Sequence, residues 1–417
     1  MKRFHVTTSL TALLVAGIGA GHADPIKVGV LATLEGTYTA LGEDGVRGVR
    51  TALAEAGNTA AGEEIQVIIA STDTTPDSAV RGARKLVEQD GVDIVIGPLS
   101  GSEGIAIRDY SKTQPDVTFL NGSSAAMETT YVTPSDNFFR FSTDGAQWSA
   151  GLGDYLFNEK GYEYIATVGE DYSFIYTQVM GLVTEFCAAG GEVTERLWVP
   201  LGTKDFGSII AALPDDVDAI YLGLGGGDAV NFLNQYQQAG GDANLIGGSI
   251  MVDPTVLNSK GEAKAALIGT PAAGPQADTW DDPTWQAYVK SYQDTFPPEE
   301  RFPSPSLLAT AYYNGTKAAL QCLEEVGGDL SDGQAGFRAC LTGLELASPT
   351  GPITLDENRQ AIARNFVSEV VELDDGTLAT QLVSIVDAVP QTLGFDTATF
   401  DGLGLPSRDN PPCQPSY

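Results

Sequence analysis

Short apolar runs alternate with amphipathic stretches along most of this chain. Ile26–Ala32, Ile65–Ala70, Val92–Ile96 and Val117–Leu120 are rich in aliphatic and β-branched residues, the composition of strands buried on both faces of a parallel sheet. Between them, Val46, Val49, Leu53 and Ala56 recur at helical spacing, and so do Ala79, Val80, Ala83, Leu86 and Val87. Thr75-Pro76 reads as an N-cap followed by proline at the first helical position. A second alternation starts near Asp144. It predicts a helix through Trp148, Leu152, Tyr155 and Leu156, and strands at Tyr164–Val168, Val193–Val199 and Asp218–Leu222. Helices reaching Cys187, over Phe206–Leu213 and over Val230–Gln238 separate those strands. Later come a strand at Ala266–Gly269, helices at Pro283–Phe296, Pro305–Glu325 and Gly333–Leu344, and strands at Phe366–Leu373 and Thr380–Val386. From Gly402 onward the periodicity ends.

Strand–helix alternation with short loops predicts an α/β fold of two doubly wound, parallel-sheet lobes. Two β/α units followed by helices and late strands imply three crossings, placed near Ser142–Asp144, Gly269–Ala273 and Ser348–Gly351. Residues 24–143 with 272–348 then form one lobe, 144–271 with 349–401 the other, and 402–417 a tail.

In doubly wound sheets, ligands bind outside the carboxyl ends of the strands. Two hydroxyl-rich loops fall on that edge. Gly97-Pro98 ends one strand, and Ser100, Gly101 and Ser102 open the next helix, whose first amides lack internal partners and carry partial positive charge. Asn121-Gly-Ser-Ser-Ala-Ala126 follows the next strand. Each alone reads as an ordinary helix cap or turn; the pair points to an anion seat.

Composition removes several classes of function. Lys2-Arg3, the apolar stretch Leu10–Ala20 and Gly21-His-Ala23 form a secretory signal over residues 1–23, so the expected location is the periplasm. Its removal takes the formal charge from −32 to −34, a surface that repels nucleic acid and anionic lipid. Both histidines, His5 and His22, lie in that signal, which excludes histidine-based nucleophilic catalysis and histidine-containing zinc sites; no cofactor is implied. Export makes disulfides the expectation for Cys187, Cys322, Cys340 and Cys413. Of three possible pairings, Cys322–Cys340 between neighbouring helices and Cys187–Cys413 tying down the tail are preferred. The turn Gly223-Leu-Gly-Gly-Gly-Asp228 is no dinucleotide fingerprint, because the position needing glycine holds Asp228, which repels a pyrophosphate.

The whole mature chain resembles the periplasmic solute-binding proteins of the leucine/isoleucine/valine type, the receptor subunits of ABC importers. The resemblance rests on Ile26-Lys-Val-Gly-Val with Gly36…Gly42, Asp73-x-x-x-Asp77, Ala83-Arg-Lys-Leu-Val87, Gly97-Pro-Leu-Ser-Gly101 and Phe138-Phe-Arg140. Glu170-Asp-Tyr172, Gly202-Thr-Lys-Asp-Phe206 and Gly351-Pro-Ile-Thr-Leu-Asp-Glu-Asn358 continue it in order. It implies a type I periplasmic-binding fold, usually monomeric, closing on a small carboxylate such as an amino acid and delivering it to a membrane permease. Ser100, Gly101 and Ser102 match the segment that holds the ligand carboxylate, and Ser123, Ser124 and Ala125 the second loop of that lobe. Tyr172 falls in the aromatic loop of the other lobe, and Asp228 borders the cleft. Two positions depart from the family pattern: Ala125 stands at the usual threonine, and Ser249 at the acid that meets the ligand ammonium. The alternative is therefore an aromatic acid or an amide, with Tyr38, Tyr172 and Phe174 stacking on its ring, or a sensor rather than an importer.

Overall fold

The structure is a computed structural model in which Met1 and residues 25–415 are described; the expected signal, Met1 apart, lies outside them. Two sheets carry the fold. In the first, Ile26–Thr33 lies between Glu63–Thr72 and Ile94–Ile96, followed outward by Thr118–Leu120 and Phe138–Phe139, all parallel. A two-residue strand, Thr59–Ala60, closes the other edge as an antiparallel hairpin. Successive residues face opposite sides, as the strand period requires. Val28, Val30, Ile94, Ile96 and Leu120 join one core with the helices Thr39–Glu55 and Leu307–Glu325. Leu31, Val95 and Phe119 join the other with Pro76–Arg84 and Gly101–Ser111.

The second sheet has nine strands. Its parallel centre runs Glu192–Val199, Tyr164–Glu170, Ala219–Gly223, Asn244–Gly247 and Pro271–Gly274. Ala361–Glu372 then pairs antiparallel with Pro271–Gly274 and with Leu378–Val389, and Gly351–Leu355 and Leu346–Ser348 complete the path. The helix Ser173–Ala189 covers one face through Val179, Leu182 and Phe186, and Gly226–Gln238 covers the other through Phe232 and Leu233. Pro271–Gly274 pairs in this sheet while Trp285 packs in the first core, so the chain passes between lobes after Gly274. Leu346, Ile353 and Ala361 also pack in the first core, and Phe366 pairs in the second sheet, so the last crossing runs along these strands.

A buried polar network stitches the first and last crossings together. Arg140, fully buried, donates to the Ala126 carbonyl at 2.8 Å, to Thr130 Oγ1 at 2.6 Å and to Gln360 Oε1. Gln360 Nε2 donates to Gln147 Oε1 at 2.8 Å, and Gln391 Nε2 to Asp144 Oδ2 at 2.8 Å. Burial lowers the Arg140 guanidinium to about 10, against Asp144, Asp356 and Glu128, so it stays charged.

Three local expectations need correction. The helix expected from Trp148 to Leu156 is a 3₁₀ turn at Gln147–Ser149 and a helix at Leu152–Asn158, split by Gly151 at φ 84°, which no right-handed helix continues through. Ala266–Gly269 is not a strand: Glu262–Leu267 is helical, and pairing begins at Pro271. Glu-Ala-Lys-Ala-Ala-Leu consists of strong helix formers. Phe206–Leu213 shortens to a single turn, Gly207–Ile210. The preferred cysteine pairing is the observed one, Cys187–Cys413 and Cys322–Cys340.

Candidate functional site

The carboxyl ends of both sheets face each other, and loops from both lobes line a narrow pocket between them. Its wall is Tyr38, Leu41, Leu99, Ser123, Trp148, Tyr172, Phe174, Ile250, Leu307 and Leu308. That is four aromatic side chains, two of them tyrosines, five aliphatic ones and one serine, with no charged group among them. Phe174 holds the aromatic wall together: Trp148 meets it edge-on at 5.4 Å between ring centres, and Tyr172 at 5.9 Å. Trp148 Nε1 donates to Thr143 Oγ1 at 2.7 Å, which fixes the indole.

Three hydrogen-bonded pairs join the lobes around this cavity. Tyr38, at the start of the Thr39–Glu55 helix, donates from its hydroxyl to Glu170 Oε2 at 2.6 Å. Thr37 Oγ1 donates to Asp228 Oδ1 at 2.9 Å, and the hydroxyls of Ser102 and Ser173 lie 3.2 Å apart. Glycines make the closest approaches: a Cβ on Gly226 would lie 2.7 Å from the Thr37 carbonyl oxygen, and one on Gly101 2.9 Å from the Phe174 amide nitrogen. Burial pushes both the Glu170 carboxyl and the Tyr38 hydroxyl well above their ordinary values. The neighbouring Asp228 and Asp253 raise Glu170 further, against the Tyr38 hydroxyl and the Gly225 amide.

The structure brings together Tyr38, Ser123, Tyr172 and Phe174 in the cavity wall. Ser100 is occupied by the fold: its hydroxyl accepts from the Glu103 amide at 3.3 Å and donates to the Thr74 carbonyl at 2.9 Å, capping the Gly101–Ser111 helix. Gly101 and Ser102 form that helix's first turn, whose amides have no partner within the helix. Ser124 is buried with its hydroxyl against Gly104, where an added Cβ would come within 1.7 Å. Ala125 accepts from the Gly145 amide at 2.8 Å and packs beside Trp148 and Phe174. Both oxygens of Asp228 are taken, Oδ1 by Thr37 and Oδ2 by the Gly202 amide at 2.6 Å. Ser249 accepts from Gln178 Nε2 at 2.8 Å and lines a neighbouring pocket. That second cavity shares Leu307 with the first and contains Asp253, Asp278, Gln276, Ser368 and Thr380. Burial raises Asp253 to about 7 and raises Asp278 as well.

Sequence reasoning missed Glu170, Trp148, Ile250 and the pair Leu307 and Leu308. Glu170 stands next to Tyr172 in a recognised motif, which was the available signal. Trp148 and Leu307 read as ordinary apolar helix positions.

A family model described as a periplasmic binding protein matches residues 25–377. The Leu/Ile/Val-binding protein homolog 6 of Brucella melitensis is 26% identical over 383 residues, covering 88% of this chain and 94% of its own. An ABC transporter substrate-binding protein from Sphaerobacter thermophilus is 27% identical with a TM-score of 0.78, over 88% of this chain and 98% of that one. A solute-binding protein of an ABC transporter from Rhodopseudomonas palustris BisB5, in complex with 3,4-dihydroxybenzoic acid, is 26% identical with a TM-score of 0.80, over 88% and 99% respectively.

Proposed function

We propose, for a chain that belongs to the periplasmic binding protein family, that it is the solute-binding component of an ABC importer and that its ligand is a small aromatic carboxylate. One observation carries the choice of ligand: the inter-lobe cavity is walled by aromatic and aliphatic side chains with a single serine and no carboxylate. The chemistry of such an apolar, aromatic-rich wall suits an aromatic ring. The ligand's carboxylate finds the Ser123 hydroxyl and the positive end of the Gly101–Ser111 helix on the first lobe's side.

An α-amino acid fits poorly. Its ammonium would need an acid, and no carboxylate lines this pocket; Asp253 and Asp278 line the neighbouring one. Asp228 is bonded to Thr37 and Gly202, Glu170 to Tyr38 and the Gly225 amide, and residue 249 is serine. A buried ammonium without a partner costs several kcal/mol. The similar Rhodopseudomonas protein holds an aromatic acid, which supports the reading, while the Brucella relative is named for branched-chain amino acids. The second cavity favours a related reading, an aromatic acid with a ring hydroxyl that donates toward Asp253 or Asp278 past Leu307.

Binding proceeds by closure. The Tyr38–Glu170, Thr37–Asp228 and Ser102–Ser173 pairs span the two lobes, so they stabilise the closed form. A ligand that touches both lobes adds the differential affinity that shifts the population. The protein works in the periplasm, is not an enzyme, and presents the closed form to its permease. Uptake lost on deletion of the gene separates import from a sensory role.

A thermal-shift panel on residues 25–417 tests the ligand class. At about 100 times Kd a ligand adds about 2.7 kcal/mol, a rise of a few degrees. Benzoate and 4-hydroxybenzoate are expected to give that rise, and leucine and benzamide none. A rise with leucine and none with either aromatic acid overturns the proposal.

A further inference from the structure

We infer that the C-terminal tail is a strap that holds the ligand loop in place, with Arg408 as its positioning residue and the Cys187–Cys413 disulfide as its anchor. The tail runs the length of the edge strand Glu192–Val199. At one end, Cys413 is bonded to Cys187 in the last turn of the Ser173–Ala189 helix, and its sulfur lies 3.5 Å from the Gly191 carbonyl, just before the strand. Midway, Arg196 Nη2 donates to the Pro411 carbonyl at 2.6 Å. At the cleft end, Arg408 grips Asp171 with two prongs, Nε to Oδ1 at 2.8 Å and Nη2 to Oδ2. Asp171 in turn donates its amide to the carbonyl of Val199, the strand's last residue, at 2.8 Å.

Asp171 is the residue between Glu170, which accepts the inter-lobe bond from Tyr38, and Tyr172, which walls the cavity. Tyr176 adds its hydroxyl to the same carboxylate and is braced edge-on against Trp198 at 5.0 Å. Covering an exposed strand edge is reason enough for a tail to lie here. It does not require a planar fork aimed at the one acid inside the ligand loop. A guanidinium on two carboxylate oxygens fixes direction as well as distance. The disulfide five residues away holds the tail beside the strand, so little freedom is lost when the fork engages.

Two readouts test the strap in the full mature chain, Arg408→Ala against wild type. The first needs no ligand: amide exchange at Asp171 and Tyr172 is expected to quicken about threefold or more, with Ile94–Ile96 in the other lobe unchanged. The second rests on the aromatic-carboxylate reading: the Kd for benzoate is expected to rise about three- to fivefold. Arg408→Lys, which keeps the charge and loses the fork, falls between the two. Cys187→Ser with Cys413→Ser moves both readouts the same way, and adding Arg408→Ala to that pair adds little, because both changes cut one strap. Unchanged exchange at Asp171 and Tyr172, or faster exchange with unchanged affinity for benzoate, overturns the inference. If the wild-type protein binds no benzoate, the ligand reading falls, and the exchange readout alone decides the strap.

Discussion

Glu170 has both carboxyl oxygens engaged, Oε2 by the Tyr38 hydroxyl from the opposite lobe and Oε1 by the Gly225 amide at 3.3 Å. Burial lifts its proton affinity well above the ordinary 4.5, and Asp228 and Asp253 lift it further. Tyr38 and Tyr172, both buried, face it as well, and no basic side chain is among the groups that shift it. A carboxyl with a raised folded value keeps its proton where the unfolded chain has lost it, so the folded state binds more protons. Its contribution to stability is full below pH 4.5 and is lost as pH rises through the raised value. Asp253, raised to about 7, acts in the same direction. Chemical denaturation between pH 4.5 and 8 is therefore expected to show falling stability. In Glu170→Gln the fall is expected to be shallower by up to about 1.4 kcal/mol per pH unit, one proton's worth. Parallel slopes in the two proteins would contradict the burial account. Tyr38, Tyr172 and Phe174 could be picked out from the sequence because they are aromatics in the loops that follow strands. Glu170 shares the motif of Tyr172, but its role depends on a partner 132 residues away, which the motif does not reveal.

The Gly101–Ser111 helix shows how an element is placed by its ends. Ser100 and Glu103 satisfy each other's backbone groups in a capping box, which starts the helix at a fixed residue at the edge of the cleft. Gly101 then lets the Ser173–Ala189 helix of the other lobe approach, since a side chain there would meet the Phe174 backbone at 2.9 Å. Gly101→Ala adds a methyl that the open form tolerates and the closed form does not. Overpacking of this kind costs about 1–3 kcal/mol, so affinity for benzoate is expected to fall about tenfold or more while the melting temperature of the free protein stays within about two degrees. A melting temperature lowered as much as affinity would mean that Gly101 serves the lobe rather than its closure. Capped helices and β-branched strands of this kind are legible because the signal is local. The strand expected at Ala266–Gly269 overlaps the end of the helix Glu262–Leu267, because so short an apolar run satisfies both periods.

Across the whole molecule, parallel strand–helix alternation predicted two doubly wound lobes, and the structure has two such sheets. The lining of the cleft was less legible. Ten wall residues come from segments as distant as Tyr38 and Leu308, and only closure brings them together. Arg140, Asp144 and Gln147 tie the segment around residues 140–147 to Gln360 and Gln391 through buried hydrogen bonds. With a formal net charge of −32, the surface repels other polyanions. The departure at Ser249 was visible in the sequence, but its meaning emerges only with the wall of the cavity complete.

The central claim is that this closed, aromatic-walled cleft takes an aromatic acid and not an α-amino acid. Calorimetric titration of the signal-free protein with benzoate and, separately, with leucine tests it most directly. The account expects one benzoate per chain with a negative heat-capacity change, as burial of apolar surface requires, and no heat of binding from leucine. Saturable, one-to-one binding of leucine with none of benzoate would contradict it.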